Sequence, residues 1–369
     1  MKARLAMRLL ADLMDWDETR ATEEFAWLRL MVSAKYDHYQ GYSPGARFYV
    51  NLLSWIAQFK QEDRPTAYEF IRKHLVFVSQ SEMHHLVALS MPIIQRSMRA
   101  ELAQSLSIPL YKTWGDRQIE RRLELMAIRT LYVGLSDGAK VDVFRRENEG
   151  AISTEQVVAA SEISEDKWRK LNGALRERLD ATGFAAETSL FERVCLIDDF
   201  TASGATLIRQ NGNGEWKGKI PTFCSQNSDR LGTSLAPDCC IHVHHYLASN
   251  RATDIAEKSV KDYGQVVGKF RYELTFSAVL SGEIVVSDSS AADLAKLLKD
   301  YYDPTIEDTH LGKDVWYGYR QCGLPVVLYH NAPNNSVAVL WATSDPKHQP
   351  PGHRMTPLFA RKKRHADHG

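Results

Sequence analysis

The stretch Val194 to Thr206, VCLIDDFTASGAT, constrains this chain more than any other. Four apolar residues end abruptly in two adjacent carboxylates, Asp198 and Asp199, and a run of small or hydroxylated residues follows. The order reads as strand, acidic pair, compact loop and helix, with the helix expected over 204–210. Adjacent carboxylates repel one another unless a cation or a polyhydroxyl ligand compensates. The plainer alternative is that they end a strand and cap a helix, as Asp often does.

Such an order suits a sugar phosphate. The loop Thr201, Ala202, Ser203, Gly204, Ala205, Thr206 can present backbone N–H groups and hydroxyls to a phosphate at the positive end of a helix. Gly204 admits a close backbone approach. Asp198 and Asp199, at the carboxyl end of a strand, can hold ribose hydroxyls and stabilise positive charge developing on an oxocarbenium-like ring. Other phosphate motifs fit worse: no Gly-Lys-Ser/Thr ending marks a Walker loop, and Gly212, Gly214 and Gly218 miss the dinucleotide spacing.

Around this motif the chain alternates. Strands are expected at 75–78, at TLYVGL before the turn Ser136-Asp137-Gly138, and at 194–197, 240–247, 272–280 and 324–330; helices fit 250–262 and 290–301. Alternation of this kind implies an α/β fold with a mainly parallel sheet. The first hundred or so residues show helical spacing, so the expected organisation is a helical accessory region at 1–120, an α/β domain at 121–345 and a basic, flexible tail at 346–369 ending in Arg361, Lys362, Lys363 and Arg364. Ser153 with Gln156 makes a capping box and Ser164 can cap a second helix, which predicts a helix-turn-helix element at 152–180. Lys167, Arg169 and Lys170 would be its nucleic-acid contacts. The Gly- and Asn-rich segment 211–238 reads as a functional insertion or a mobile loop.

The chain has 369 residues, with 46 basic and 46 acidic side chains, so no protein-wide field draws it to nucleic acid or membrane. No apolar run reaches the length of a membrane span, and five scattered cysteines suit reduced thiols; the expectation is a soluble, cytoplasmic protein. CCIHVHH at 239–245 invites a zinc reading, but the tight knuckle of a structural zinc site is absent, and buried or edge histidines fit better. Strand alternation puts Cys240, His242 and His244 on one face, and Val243 and His245 on the other.

The segment 194–206 resembles the signature of type I phosphoribosyltransferases, a hydrophobic strand, two acidic residues, and a Thr-Thr-Gly-Ala-Thr-like loop, with Ala202 where that family often has Thr or Ser. YVGLSDGAK resembles the family's diphosphate loop, which would give Ser136, Asp137, Gly138 and Lys140 to the leaving group; Ser-Asp-Gly is also an ordinary turn. QCGLPVVLYHNAPNNSVAVLW is similar to a C-terminal segment of phosphoribosyltransferase-like effectors in bacterial conflict systems, including those that accompany retron reverse transcriptases. The resemblance implies that Asn334, Asn335 and Trp341 read and stack on a base; Asx turns and a core Trp are the plain alternative. It also implies a type I phosphoribosyltransferase-like fold and a glycosidic bond made or cleaved on a nucleotide or phosphoribosyl diphosphate. Asp198 and Asp199 would be catalytic, and Mg2+ would come with the diphosphate. The expected role is the toxic effector of a retron-type antiphage system, with a reverse transcriptase and its RNA or DNA as partners. The alternative is a non-catalytic subunit that senses a nucleotide and binds nucleic acid. Housekeeping purine salvage sits poorly with the helical extension and the insertion.

Overall fold

The computed structural model describes residues 3–42, 48–345 and 353–361. Its strands are β1 (Val76–Val78), β2 (Thr130–Gly134), β3 (Val157–Val158), β4 (Phe191–Thr201), β5 (Arg209–Gln210), β6 (Trp216–Lys217), β7 (Leu235–Ser249), β8 (Arg271–Leu280) and β9 (Val326–Leu328). The chain divides into two compact units, residues 84–280 and residues 1–83 with 281–369. This division departs from the expected 1–120 and 121–345.

The unit 84–280 is built on a five-stranded sheet of order β3-β2-β4-β7-β8. Every pairing in it is parallel. Parallel strands are covered on both faces, which is why Val194–Ile197 reads as an unbroken apolar run. On one face Val194, Leu196, Ile241 and Val243 pack with Trp168, Leu171 and Leu175 of the helix Glu165–Ala181, Ile220 and Phe223 of the helix Lys219–Asn227, and Ala256 and Val260 of the helix Asn250–Val267. The other face carries buried polar groups. Arg193, 3% exposed, is held by Glu101, by Glu273 at 2.5 Å and by His242 Nδ1 at 2.9 Å. His242 Nε2 and His244 Nδ1 share Thr275 Oγ1 at 2.6 and 2.8 Å, and His244 Nε2 meets Ser277 Oγ at 3.0 Å. The ring nitrogens of both histidines are thus engaged by protein groups, which accounts for their burial without zinc.

Three expectations are corrected in this unit. The helix-turn-helix element at 152–180 is absent: Thr154–Gln156 forms only a 3-10 turn, which the Ser153–Gln156 capping box closes. Val157 and Val158 then pair with Tyr132 and Val133 as an edge strand. β-branched residues with an open sheet edge beside them outweigh a local cap signal. The helix Glu165–Ala181, capped by Ser164, stands alone. For the segment 211–238 the mobile-loop alternative gives way to regular structure: β6 pairs with β5, just before the segment, in an antiparallel hairpin, and the helix Lys219–Asn227 follows with Ile220 and Phe223 buried. The helix expected at 204–210 is a turn followed by β5.

The second unit joins both ends of the chain. Its helices include Ala3–Met14, Glu18–Ala34, Phe48–Ala57 and Arg64–Glu69. β1 pairs in parallel with β9, Val76 opposite Val326, so the strand expected at 324–330 lies outside the five-stranded sheet. Its residues are apolar throughout, a pattern that names no partner. The described part of the expected flexible tail is packed: Phe359 is fully buried and lies within about 6 Å of the rings of Tyr36, Tyr39, Phe48 and Phe77. Lys362, Lys363 and Arg364 lie outside the described residues. Among the described residues no helix is long and apolar enough to cross a membrane.

Candidate functional site

Strand order in the unit 84–280 reverses between β2 and β4: chain order runs outward to β3 on one side and to β7 and β8 on the other. Loops after two such strands part in opposite directions and leave a crevice at their carboxyl ends, where open α/β sheets bind ligands. Asp198 and Asp199 lie at that end of β4, and Ser136–Gly138 follows β2.

The two segments meet. Ser136 donates its hydroxyl to Oδ1 of Asp198 and accepts from the Gly138 amide at 3.1 Å. A Cβ placed on Gly138 would lie 2.3 Å from Oδ2 of Asp199, so only glycine lets the turn close on that carboxylate. Asp137 is exposed, and Lys140 takes a left-handed conformation, φ 47°. Asp198 and Asp199 are 4% and 8% exposed. Asp199 accepts from the Phe200 amide at 2.8 Å.

The loop 201–206 folds back on itself. Gly204 adopts φ 69°, and its carbonyl accepts from the amides of both Leu207 and Ile208 at 3.1 Å. That geometry closes a turn instead of propagating a helix. The loop therefore has no helix of its own, yet one stands against it. Ser249, the N-cap of Asn250–Val267, donates to the Ala202 carbonyl at 2.6 Å and accepts from the Ala252 amide at 3.1 Å. The positive end of an 18-residue helix thus adjoins the loop. Among the described residues no acceptor is paired with the amides of Ser203, Gly204 or Thr206, which leaves donors suited to an anion. Thr206 is exposed, while Thr201, Ala202, Ser203 and Ala205 are buried.

Two residues were not singled out by sequence. Lys219, the first residue of its helix, donates its ammonium to Oδ2 of Asp198; only its place after Gly218 in a Gly-rich stretch hinted at a loop-end position. His245, read as a buried core histidine, is the register partner of Asp198 across β4 and β7. Burial above all, and Lys219 with it, pushes its pKa down to about 4, against the upward pull of Asp198 and Asp199.

The remaining candidates lie on other elements. Asn334, Asn335 and Trp341 belong to the unit 1–83 with 281–369. There Asn335 donates to the Tyr319 carbonyl at 3.2 Å, the Asn334 carbonyl accepts from the Tyr319 amide at 2.6 Å, and the Trp341 indole donates to the Ser336 carbonyl at 2.8 Å. Arg169 and Lys170 both pair with Asp166, at 3.3 and 2.9 Å, and Lys167 lies beside them on the same isolated helix. Among the described residues no three His, Cys, Asp or Glu side chains are grouped to hold a metal ion.

No curated protein and no solved structure matches the chain. The model of the PRTase-CE family matches residues 52–361, most of the length and both acidic residues with the loop that follows them. With its parallel sheet and the switch-point crevice, the chain belongs to the phosphoribosyltransferase-like PRTase-CE family.

Proposed function

We propose that the crevice at the ends of β2 and β4 binds a ribose phosphate and makes or cleaves a glycosidic bond at its anomeric carbon. The observation that carries this reading is the convergence of Ser136, Gly138, Asp198 and Asp199 beside a loop with unpaired amides. Asp198 and Asp199 hold the ribose hydroxyls and oppose the charge that develops as the bond to C1 breaks. The amides of Ser203, Gly204 and Thr206, reinforced by the helix Asn250–Val267, take the 5-phosphate. Ser136 to Gly138 faces the diphosphate or other leaving group, with Lys140 following. With a diphosphate substrate facing Ser136 to Gly138, Mg2+ would serve to neutralise the charge of the diphosphate. Either a nucleotide or phosphoribosyl diphosphate meets these requirements.

The cellular role that accords with this chemistry is a toxic effector of a retron-type antiphage system, which rests on the similarity of the Pro333–Trp341 segment to such effectors. Wild-type chain and the Asp198→Asn/Asp199→Asn double variant, expressed in cells with metabolite profiling, test both levels. Toxicity with depleted nucleotide or phosphoribosyl diphosphate pools in wild type alone supports the enzyme; equal viability and unchanged pools in both would sink it.

A second reading, a nucleotide sensor without catalysis, draws on Lys219. The ammonium already neutralises Asp198, and a site so compensated can bind without turning over.

A further inference from the structure

His245 has a buried ring nitrogen that the protein leaves without a partner. The side chain is 2% exposed, and Nδ1 has no hydrogen bond among the described residues. A buried polar atom without a partner is costly, so a native chain that keeps one invites a functional explanation. His242 and His244, on the opposite face of the same strand, each have both nitrogens engaged. Of the three histidines of β7, it is the one on the face of Asp198 that is left so.

The surroundings point to a ligand. From β4, Asp198 lies directly across the register, with Asp199 next to it; from the helix Lys219–Asn227 comes Lys219; from β8, Phe276 stacks on the imidazole at 6.2 Å and 24°. Both oxygens of Asp198 are engaged by Ser136 and Lys219. If Lys219 turns away, Oδ2 can accept one hydroxyl of a sugar diol while Ser136 still holds Oδ1, so the second hydroxyl needs another acceptor beside Asp198. The Lys219 side chain is 26% exposed, so it can turn off Asp198 toward an incoming phosphate.

We propose that His245 is a sugar-reading residue whose Nδ1 accepts a hydrogen bond from one ribose hydroxyl once Lys219 has turned from Asp198 to the anionic group of the ligand. This rests on the ribose-phosphate reading of Asp198 to Thr206. The imidazole is neutral near pH 7, and a neutral ring with its proton on Nε2 offers a lone pair at Nδ1. The orphaned nitrogen gains its partner only in the complex, which makes it a discriminator: a sugar lacking that hydroxyl leaves it unpaired.

The probes are ribose 5-phosphate and its 2-deoxy and 3-deoxy analogues, titrated calorimetrically into the full chain and into His245→Phe and His245→Asn. Phe preserves the stack on Phe276 and removes the nitrogens; Asn returns a polar group close to the position of Nδ1. One deoxy sugar binds the wild type about tenfold more weakly than ribose 5-phosphate; His245→Phe abolishes that ratio and His245→Asn restores it. In the wild type, nitrogen NMR of the His245 ring gives a second measurement that no folding defect can blur, since Nδ1 shifts on saturation with ribose 5-phosphate. Ribose 5-phosphate binding with the wild-type ratios intact in His245→Phe, or with an unmoved Nδ1 resonance, overturns the proposal alone. Absence of binding by wild type to all three sugars overturns the ribose-phosphate reading, and this proposal with it.

Discussion

Lys219 and Asp198 form an ion pair that links the start of a helix to the acidic end of β4. The Asp198 side chain is 6% exposed, so its charge needs the ammonium more than a surface carboxylate would. Replacing Lys219 by Met strands that carboxylate. Because Lys219 is partly solvated, the expected loss is about 1 kcal/mol in urea unfolding, well short of the roughly 3–5 kcal/mol of a fully buried pair. Ribose 5-phosphate affinity falls as well, since the variant has lost the cation that meets the anion. Unchanged affinity would remove Lys219 from the site.

Gly138→Ala tests the contact between the two segments of the crevice. Its Cβ would fall within 2.7 Å of both carboxylate oxygens and Cγ of Asp199, so the turn or the carboxylate must shift. Overpacking of this kind costs about 1–3 kcal/mol. The expected signature is a loss of sugar-phosphate binding larger than the loss of stability, both read on the same preparation.

Gly204→Ala acts differently. The φ of 69° disfavours an L-residue by roughly 1–2 kcal/mol, and the added methyl would sit 3.2 Å from the Ala252 carbonyl. The loop separates from the first turn of Asn250–Val267, and phosphate binding weakens while Asp198 and Ser136 stay in place. Inorganic phosphate competing against ribose 5-phosphate measures this: the variant should lose the competition.

Acid should unfold the 84–280 unit early. Burial holds His242, His244 and His245 below the ordinary imidazole pKa, His245 at about 4. The unfolded chain therefore binds more protons than the folded one once the pH drops through about 6.5. The histidine contribution is flat above about pH 7 and declines below it by roughly 1.4 kcal/mol per pH unit for each ring, with the His245 share levelling off near pH 4. Urea midpoints at pH 7, 6 and 5 provide the check, and His244→Gln should make the decline shallower. A midpoint independent of pH would contradict the burial of neutral rings.

The parallel sheet was legible because β2 and Val194–Ile197 of β4 are apolar runs and β7 and β8 are rich in β-branched and aromatic residues, and the acidic pair was legible because it interrupts one of those runs. The alternate faces of Cys240 to His245 also followed from strand geometry, as the β4–β7 register bears out. What stayed hidden depended on distant partners. Val157 and Val158 carried a helix cap before them but were claimed by the sheet edge. Gly204 opens what resembles a helix start, but it takes φ 69°, and Arg209 and Gln210 leave to pair with Lys217 and Trp216. Lys219 reached Asp198 through a hairpin and a turn, and no local pattern records such a return. Val326 to Leu328 showed a strand but not its partner, which lies near the opposite end of the chain.

That last pairing sets an order of events in synthesis. Val76 waits for Val326, and Phe77 with Tyr36 waits for Phe359, whereas every strand of the five-stranded sheet has been made by Leu280. As the chain leaves the ribosome from its N-terminus, the unit bearing Asp198 can assemble while the earlier segment still lacks its strand partner. A ribosome that stalls just short of Val326 would thus carry Val76, Tyr36 and Phe77 without the segments that cover them.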